Sequence, residues 1–234
     1  MSSPPGQLPL ALRFPPDQRF ETFHARDPAV LAPLRDAARR PDGQRLYVAG
    51  PRSTGKTHLL LAVCAEAEAQ GWRPGFLPLA GATGRLQEAL EALHEHDLVA
   101  LDSIEAIAGD RAAEVALFDF HNRAHDAGTC VVYAARDWPD GLGLGLPDLR
   151  SRLGQCVRIA LPALDDDGRA EVLRLRAARR GLQMDQAAID WLLRRAGRDL
   201  SSLTATFDRI DRAALAAQRR VTVPFLRQLL GGEV

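Results

Sequence analysis

Lysine is all but missing from this chain: a single residue, Lys56, in 234, against 29 arginines. Charge of one sign is also missing, because thirty basic residues balance thirty acidic ones. That balance excludes the strongly basic surface by which a protein neutralises nucleic-acid phosphates unaided. No apolar run approaches the length needed to span a bilayer, so no membrane association is expected. The three cysteines, Cys64, Cys130 and Cys156, are scattered through apolar stretches. Their number and spacing exclude a disulfide framework and argue against a clustered metal site, leaving buried thiols in a reducing compartment. The N-terminus lacks a basic patch ahead of an apolar segment, and Pro4, Pro5 and Pro9 interrupt what apolar character it has. No secretory signal is expected there, and a cytoplasmic location follows.

What is present is an ordinary globular composition, 46% hydrophobic and 26% charged, enough to bury a substantial core. Residues 1–16 are rich in proline and leucine without a usable period and read as an extended tail. From there, short apolar runs alternate with amphipathic ones. Strands are expected at 45–49, 73–79, 97–102, 129–134 and 156–160, with helices at 29–39, 58–70, 85–94, 112–127 and 148–153. This alternation predicts an α/β domain over 17–162, a five-stranded parallel sheet flanked by helices. Beyond Pro162 the pattern becomes wholly helical. Asp165, Asp166 and Asp167 supply a cap and dipole-matched acids for a helix through residue 180, followed by helices at 185–196, 200–219 and 222–230. A small all-α lid is expected over 163–234.

The lone lysine lies in Gly50-Pro51-Arg52-Ser53-Thr54-Gly55-Lys56-Thr57, which satisfies the phosphate-loop pattern between an expected strand and an expected helix. A flexible stem with a compact ammonium fits the narrow cradle around β- and γ-phosphates better than a planar guanidinium does. Residues 50–57 and the following His58 are therefore expected to hold ATP or ADP through backbone N–H groups and a helix N-terminus. Thr57 would place its hydroxyl on Mg²⁺. Asp102, closing the apolar run 97–102, is the carboxylate expected to orient that ion. Many ATPases put a second acid next in sequence to orient the attacking water, but here Ser103 follows. Serine cannot act as a carboxylate base, so intrinsic ATP hydrolysis should be weak or absent. Glu105 is near in sequence, with its direction undetermined. Arg152, just before the fifth strand, admits two readings: a finger reaching a neighbouring subunit's γ-phosphate, or one solvated arginine among many.

Together these segments resemble the ATPase module of the bacterial replication initiator DnaA, and above all its shorter relatives, the Hda family of regulatory inactivators. The likeness runs over 50–60, 101–110, 118–122, 145–149 with 151–153, and 217–225. It implies an AAA+ module: a P-loop domain followed by a lid. The initiator continues into a helix-turn-helix domain, whereas this sequence stops at Val234, and no such domain is expected. The tail carries Gln7-Leu8-Pro9-Leu10-Ala11-Leu12, similar to the hexapeptide by which family members grip the sliding clamp, the β subunit of DNA polymerase III. A hydrogen-bonding Gln7 with apolar Leu8, Leu10 and Leu12 suits an extended peptide in an apolar pocket.

The resemblance implies a negative regulator of replication initiation. The clamp on DNA recruits it, and Arg152 is presented in trans to ATP held by the initiator DnaA, whose hydrolysis it stimulates. DNA is then met only through the clamp, and homodimer formation is left open. Three positions depart from the family pattern. The sensor-1 site, expected as Asp before Arg, reads Arg136-Asp137. The sensor-2 arginine falls on Ser201, with Arg198 a turn away. Phe20 and Phe23 match the family's adenine-pocket lead-in or are plain core residues, with equal weight. The rival readings are a helicase-loader-like AAA+ ATPase and a self-sufficient ATPase.

Overall fold

In the computed structural model, residues 14–15, 17–82, 84–195, 200–217 and 219–231 are described. A short 3-10 turn, Pro28–Leu31, leads into α1 (Ala32–Arg39), so the expected helix at 29–39 is two pieces. The Asp27 carboxylate accepts from the Ala29 N–H at 2.9 Å and starts that turn. There follow β1 (Arg45–Ala49), α2 (Lys56–Ala69), β2 (Pro74–Pro78), α3 (Leu86–Glu91) and β3 (Leu98–Asp102). Then come α4 (Arg111–Asp126), β4 (Cys130–Ala135), α5 (Pro147–Gly154) and β5 (Val157–Ala160).

All five strands are parallel, in the order β2-β3-β4-β1-β5. Every residue of β3 and β4 is buried, as expected of strands covered on both faces. Alternate residues of a strand face opposite sides, and β1 divides its side chains accordingly. Leu46 and Val48 pack with α1 and α2, whereas Tyr47 and Ala49 pack with α3, α4 and α5. β2 takes one outer edge of the sheet, where no second neighbouring strand calls on the N–H that Pro74 and Pro78 lack.

After β5 the chain forms α6 (Asp166–Arg179), α7 (Gln186–Arg195), α8 (Leu200–Ala217) and α9 (Val223–Leu230). The Asp165 carboxylate accepts from the Gly168 N–H at 2.9 Å and caps α6 as its sequence position predicts. These helices enclose a separate apolar core built on Leu173, Ile189, Leu203, Phe207, Ile210 and Leu226. Among the described residues no helix is long and apolar enough to cross a membrane.

Candidate functional site

Parallel strands deliver their carboxyl ends to one edge of the sheet, and there the loop 50–55 joins β1 to α2. Its first residue is stapled into the sheet: the Gly50 N–H donates to Ala135 at 3.2 Å, and Leu161 N–H donates to Ala49 at 2.7 Å. A side chain at Gly50 would run into the Leu161 carbonyl, which explains the glycine sterically. Gly55 adopts φ +90°, and a Cβ there would lie 2.6 Å from the Phe23 ring. Because that glycine turns the chain into the helix, α2 begins at Lys56, two residues earlier than its apolar pattern suggests.

Lys56 folds over its own loop, its Nζ donating to the Gly50 and Pro51 carbonyls at 2.6 and 2.7 Å. Burial holds this ammonium below the ordinary lysine range, opposed by the charge of Glu105 and then of Asp102. Thr57 donates its hydroxyl to Asp102 Oδ2 at 2.5 Å. Burial raises the Asp102 carboxyl, against the hydrogen bond from Thr57 and the charge of Lys56. A hydroxyl facing a carboxylate is the hard-oxygen pair suited to a magnesium ion carried by a nucleotide, so the residues present fit that ion.

These groups line a cavity of about 540 Å³ that also meets Asp17, Gln18, Thr22, Phe23, His24 and the lid helices. Residues 52–58, Asp102 and Ser103 all border it. Phe20 is core, 3% exposed, with the Arg35 guanidinium 5.2 Å from its ring centre. Phe23 instead lines the cavity and meets His58 edge to face, with ring centres 5.3 Å apart. The two aromatic residues that sequence treated alike thus part company. His58 Nε2 lies 2.9 Å from the Arg19 carbonyl and 3.1 Å from the Thr22 hydroxyl, and burial lowers its pKa.

Three features were not legible beforehand. Arg176 and Arg179, on α6, line the cavity from the lid side, with Thr204 of α8. The family's sensor-2 position falls on Ser201, with Arg198 a turn away; Arg198 and the Ser201 side chain lie outside the described residues. Glu105 also borders the cavity, and its Oε2 accepts the Arg136 N–H at 3.1 Å. The neighbouring Asp137 spends its side chain on the turn that follows, accepting from Trp138 N–H at 2.8 Å, while its carbonyl accepts from the Tyr47 hydroxyl at 3.0 Å. Finally, Glu114 of α4 is fully buried, accepting from Gly109, Gly145 and Leu146 N–H groups at 2.8, 3.0 and 2.6 Å. Its only sequence signal was an acid sharing a helical stripe with Leu117, His121 and Ala124.

Arg152 is exposed near the end of α5 and does not border the cavity. β5 pairs in parallel with β1, Leu46 opposite Val157. The residues just before β5 therefore sit at the amino edge of the sheet, away from the phosphate loop. Gln7, Leu8, Leu10 and Leu12 lie outside the described residues.

Residues 166–230 match the family model described as Hda, lid domain. The chain is similar to domain III of the Thermotoga maritima replication initiation protein DnaA, with TM-score 0.79 and 21% identity over 93% of this chain and 97% of that one. It is similar also to AMPPCP-bound DnaA from Aquifex aeolicus, with TM-score 0.69 and 22% identity over 84% of this chain and 65% of that longer one. The Thermotoga maritima RuvB Holliday junction branch migration motor gives TM-score 0.68 and 17% identity over 92% and 71%. These likenesses establish a shared fold, and the family-model match makes residues 166–230 its lid.

Proposed function

We propose, from the premise that this chain is a DnaA-related AAA+ protein of the Hda family, that it is a negative regulator of replication initiation acting on ATP bound to the initiator DnaA. Its parts are a tail over 1–16, a nucleotide-binding domain over 17–162 and a lid over 163–234. Residues 50–58 hold ADP or ATP, with Lys56 releasing its two loop carbonyls to reach the phosphates. Thr57 and Asp102 would hold Mg²⁺, whose charge offsets that of the β- and γ-phosphates. The similar DnaA structure with bound AMPPCP supports an adenine nucleotide here.

One observation carries the trans-acting reading. Arg152 is solvent-facing on the sheet edge opposite its own phosphate loop, so its guanidinium is available to a second molecule and out of reach of its own nucleotide. A cation presented to the γ-phosphate of a partner stabilises the charge of the transition state, typically by about 10³-fold or more in rate. The tail peptide Gln7-Leu8-Pro9-Leu10-Ala11-Leu12 raises the local concentration of that finger by tethering it to the sliding clamp.

The test is an ATPase assay of DnaA with clamp loaded on DNA and this protein. Arg152→Ala should keep clamp binding and lose stimulation, whereas Gln7→Ala with Leu8→Ala should lose both. Full stimulation by Arg152→Ala would rule out that residue as the finger. Undiminished clamp retention by the tail variant would refute the tether.

A further inference from the structure

Ser103 stands where a second acid would follow Asp102, yet the cavity is not short of a second carboxylate. Among the described residues two non-glycine residues have left-handed backbones, Ser53 at φ 62° and Ser103 at φ 63°, and both border this cavity. Such conformations are strained for residues with a side chain and persist where surrounding structure imposes them, commonly at functional sites. At Ser103 the left-handed step ends β3 and starts the 3-10 turn Ile104–Ile107. The turn buries Ile104 and Ile107 and leaves Glu105 facing the cavity beside Lys56, Thr57 and Asp102.

The carboxylate is held there. Glu105 Oε2 accepts the Arg136 N–H at the tip of β4. The preceding residue, Ala135, accepts the Gly50 N–H, and the Gly50 carbonyl accepts from Lys56 Nζ at 2.6 Å. Three links thus join Glu105 to the lysine that meets the terminal phosphates. The Lys56 ammonium feels the Glu105 charge more than that of Asp102, which agrees with this closeness.

We propose that Glu105 is the catalytic carboxylate of a slow hydrolytic activity that this chain exerts on its own ATP. The inference rests on the reading of the cavity as an ATP site. Glu105 takes a proton from water as the water oxygen bonds to the γ-phosphorus. The bond from phosphorus to the β,γ-bridging oxygen breaks, its electrons stay on ADP, and the proton passes on to the released phosphate. The reaction consumes ATP and water and needs no other reactant. Arg152, turned away from this cavity, gives no assistance within the subunit, and the rate stays low.

The test uses the full chain with ATP, measuring the dissociation constant of a fluorescent ATP analogue, single-turnover ADP formation, and the nucleotide recovered from protein loaded with ATP. Glu105→Gln is nearly isosteric and keeps an acceptor for Arg136. It should bind the analogue within about twofold of the parent and form ADP roughly 100-fold more slowly, the scale of a lost general base. Recovered nucleotide should shift from ADP to ATP, which a merely structural role would not produce. Glu105→Asp should restore part of the rate. ADP formation by Glu105→Gln at the parent's rate, or none by a parent that binds ATP, overturns the proposal. A parent that fails to bind ATP at all overturns the nucleotide reading as well, so the two failures are told apart.

Discussion

At the scale of the residue, a phosphate site is a matter of which donors are pre-aimed and what they do when no anion is near. Lys56 stays on two carbonyls of its own loop, so a nucleotide exchanges those neutral acceptors for charged ones. Hydrogen bonds to charged groups contribute about 1.5–3 kcal/mol, so Lys56→Ala should weaken ADP binding roughly 10- to 100-fold in calorimetry. His121 makes a different use of burial. Its ring is stacked on Tyr133, Nδ1 lies 2.9 Å from the tyrosine hydroxyl, and burial, aided by Arg45, Arg152 and His125, pushes its pKa down to about 4. The folded state therefore resists a proton that the unfolded chain accepts near 6.5. Stability is fully present above that value and falls as pH drops from about 6.5 to about 4, by roughly 1.4 kcal/mol per unit. Urea titrations across this window should show a steeper fall in the parent than in His121→Phe, which keeps only the contributions of other groups such as His58. The motif at 50–57 was legible because its chemistry is local in sequence. The separate fates of Phe20 and Phe23 were not, since both sit in one stretch and only packing against α1 and α2 divides them.

At the scale of the element, the helix carrying Arg152 is held at its start by a residue 32 positions earlier. Glu114, buried in α4, receives the Leu146 N–H that opens α5 and the Gly145 N–H before it. A carboxylate offers two oxygens to three donors, whereas an amide offers one. Glu114→Gln should therefore strand at least one buried N–H, costing about 1–3 kcal/mol, and lower the melting temperature. Hydrogen exchange should rise at the Gly145 and Leu146 amides, loosening the base on which Arg152 stands. Element existence and order followed from apolar periodicity along the chain. Boundaries moved where a cap or a left-handed residue intervened: Gly55 starts α2 early, and the 3-10 turn splits the first expected helix.

At the scale of the whole molecule, the cavity is lined by two separately cored units, and the lid contributes Arg176 and Arg179 of α6 together with Val172 and Thr204. Arg176 is half-buried at the cavity wall, 3.8 Å from Asp208, and Arg179 reaches the carbonyl of Asp17. Arg176→Ala should leave the lid folded, because the change lies outside its apolar core, and should weaken ATP binding by roughly tenfold on removal of one charge-assisted contact. An unchanged affinity would mean that Arg176 makes no contact with the nucleotide. The sequence by itself determined the parallel α/β architecture, the helical lid and the loop motif at 50–57. Each of these is encoded by neighbours a few residues apart, through hydrophobic period, caps and a contiguous motif. The tertiary structure alone decided that Glu105 and Arg176 border one cavity, that Glu114 anchors α5, and that Arg152 faces away from its own loop. Those facts depend on strand order, since the β2-β3-β4-β1-β5 sequence brings the tips of β3 and β4 beside the loop after β1. No spacing along the chain records which strand ends become neighbours in space.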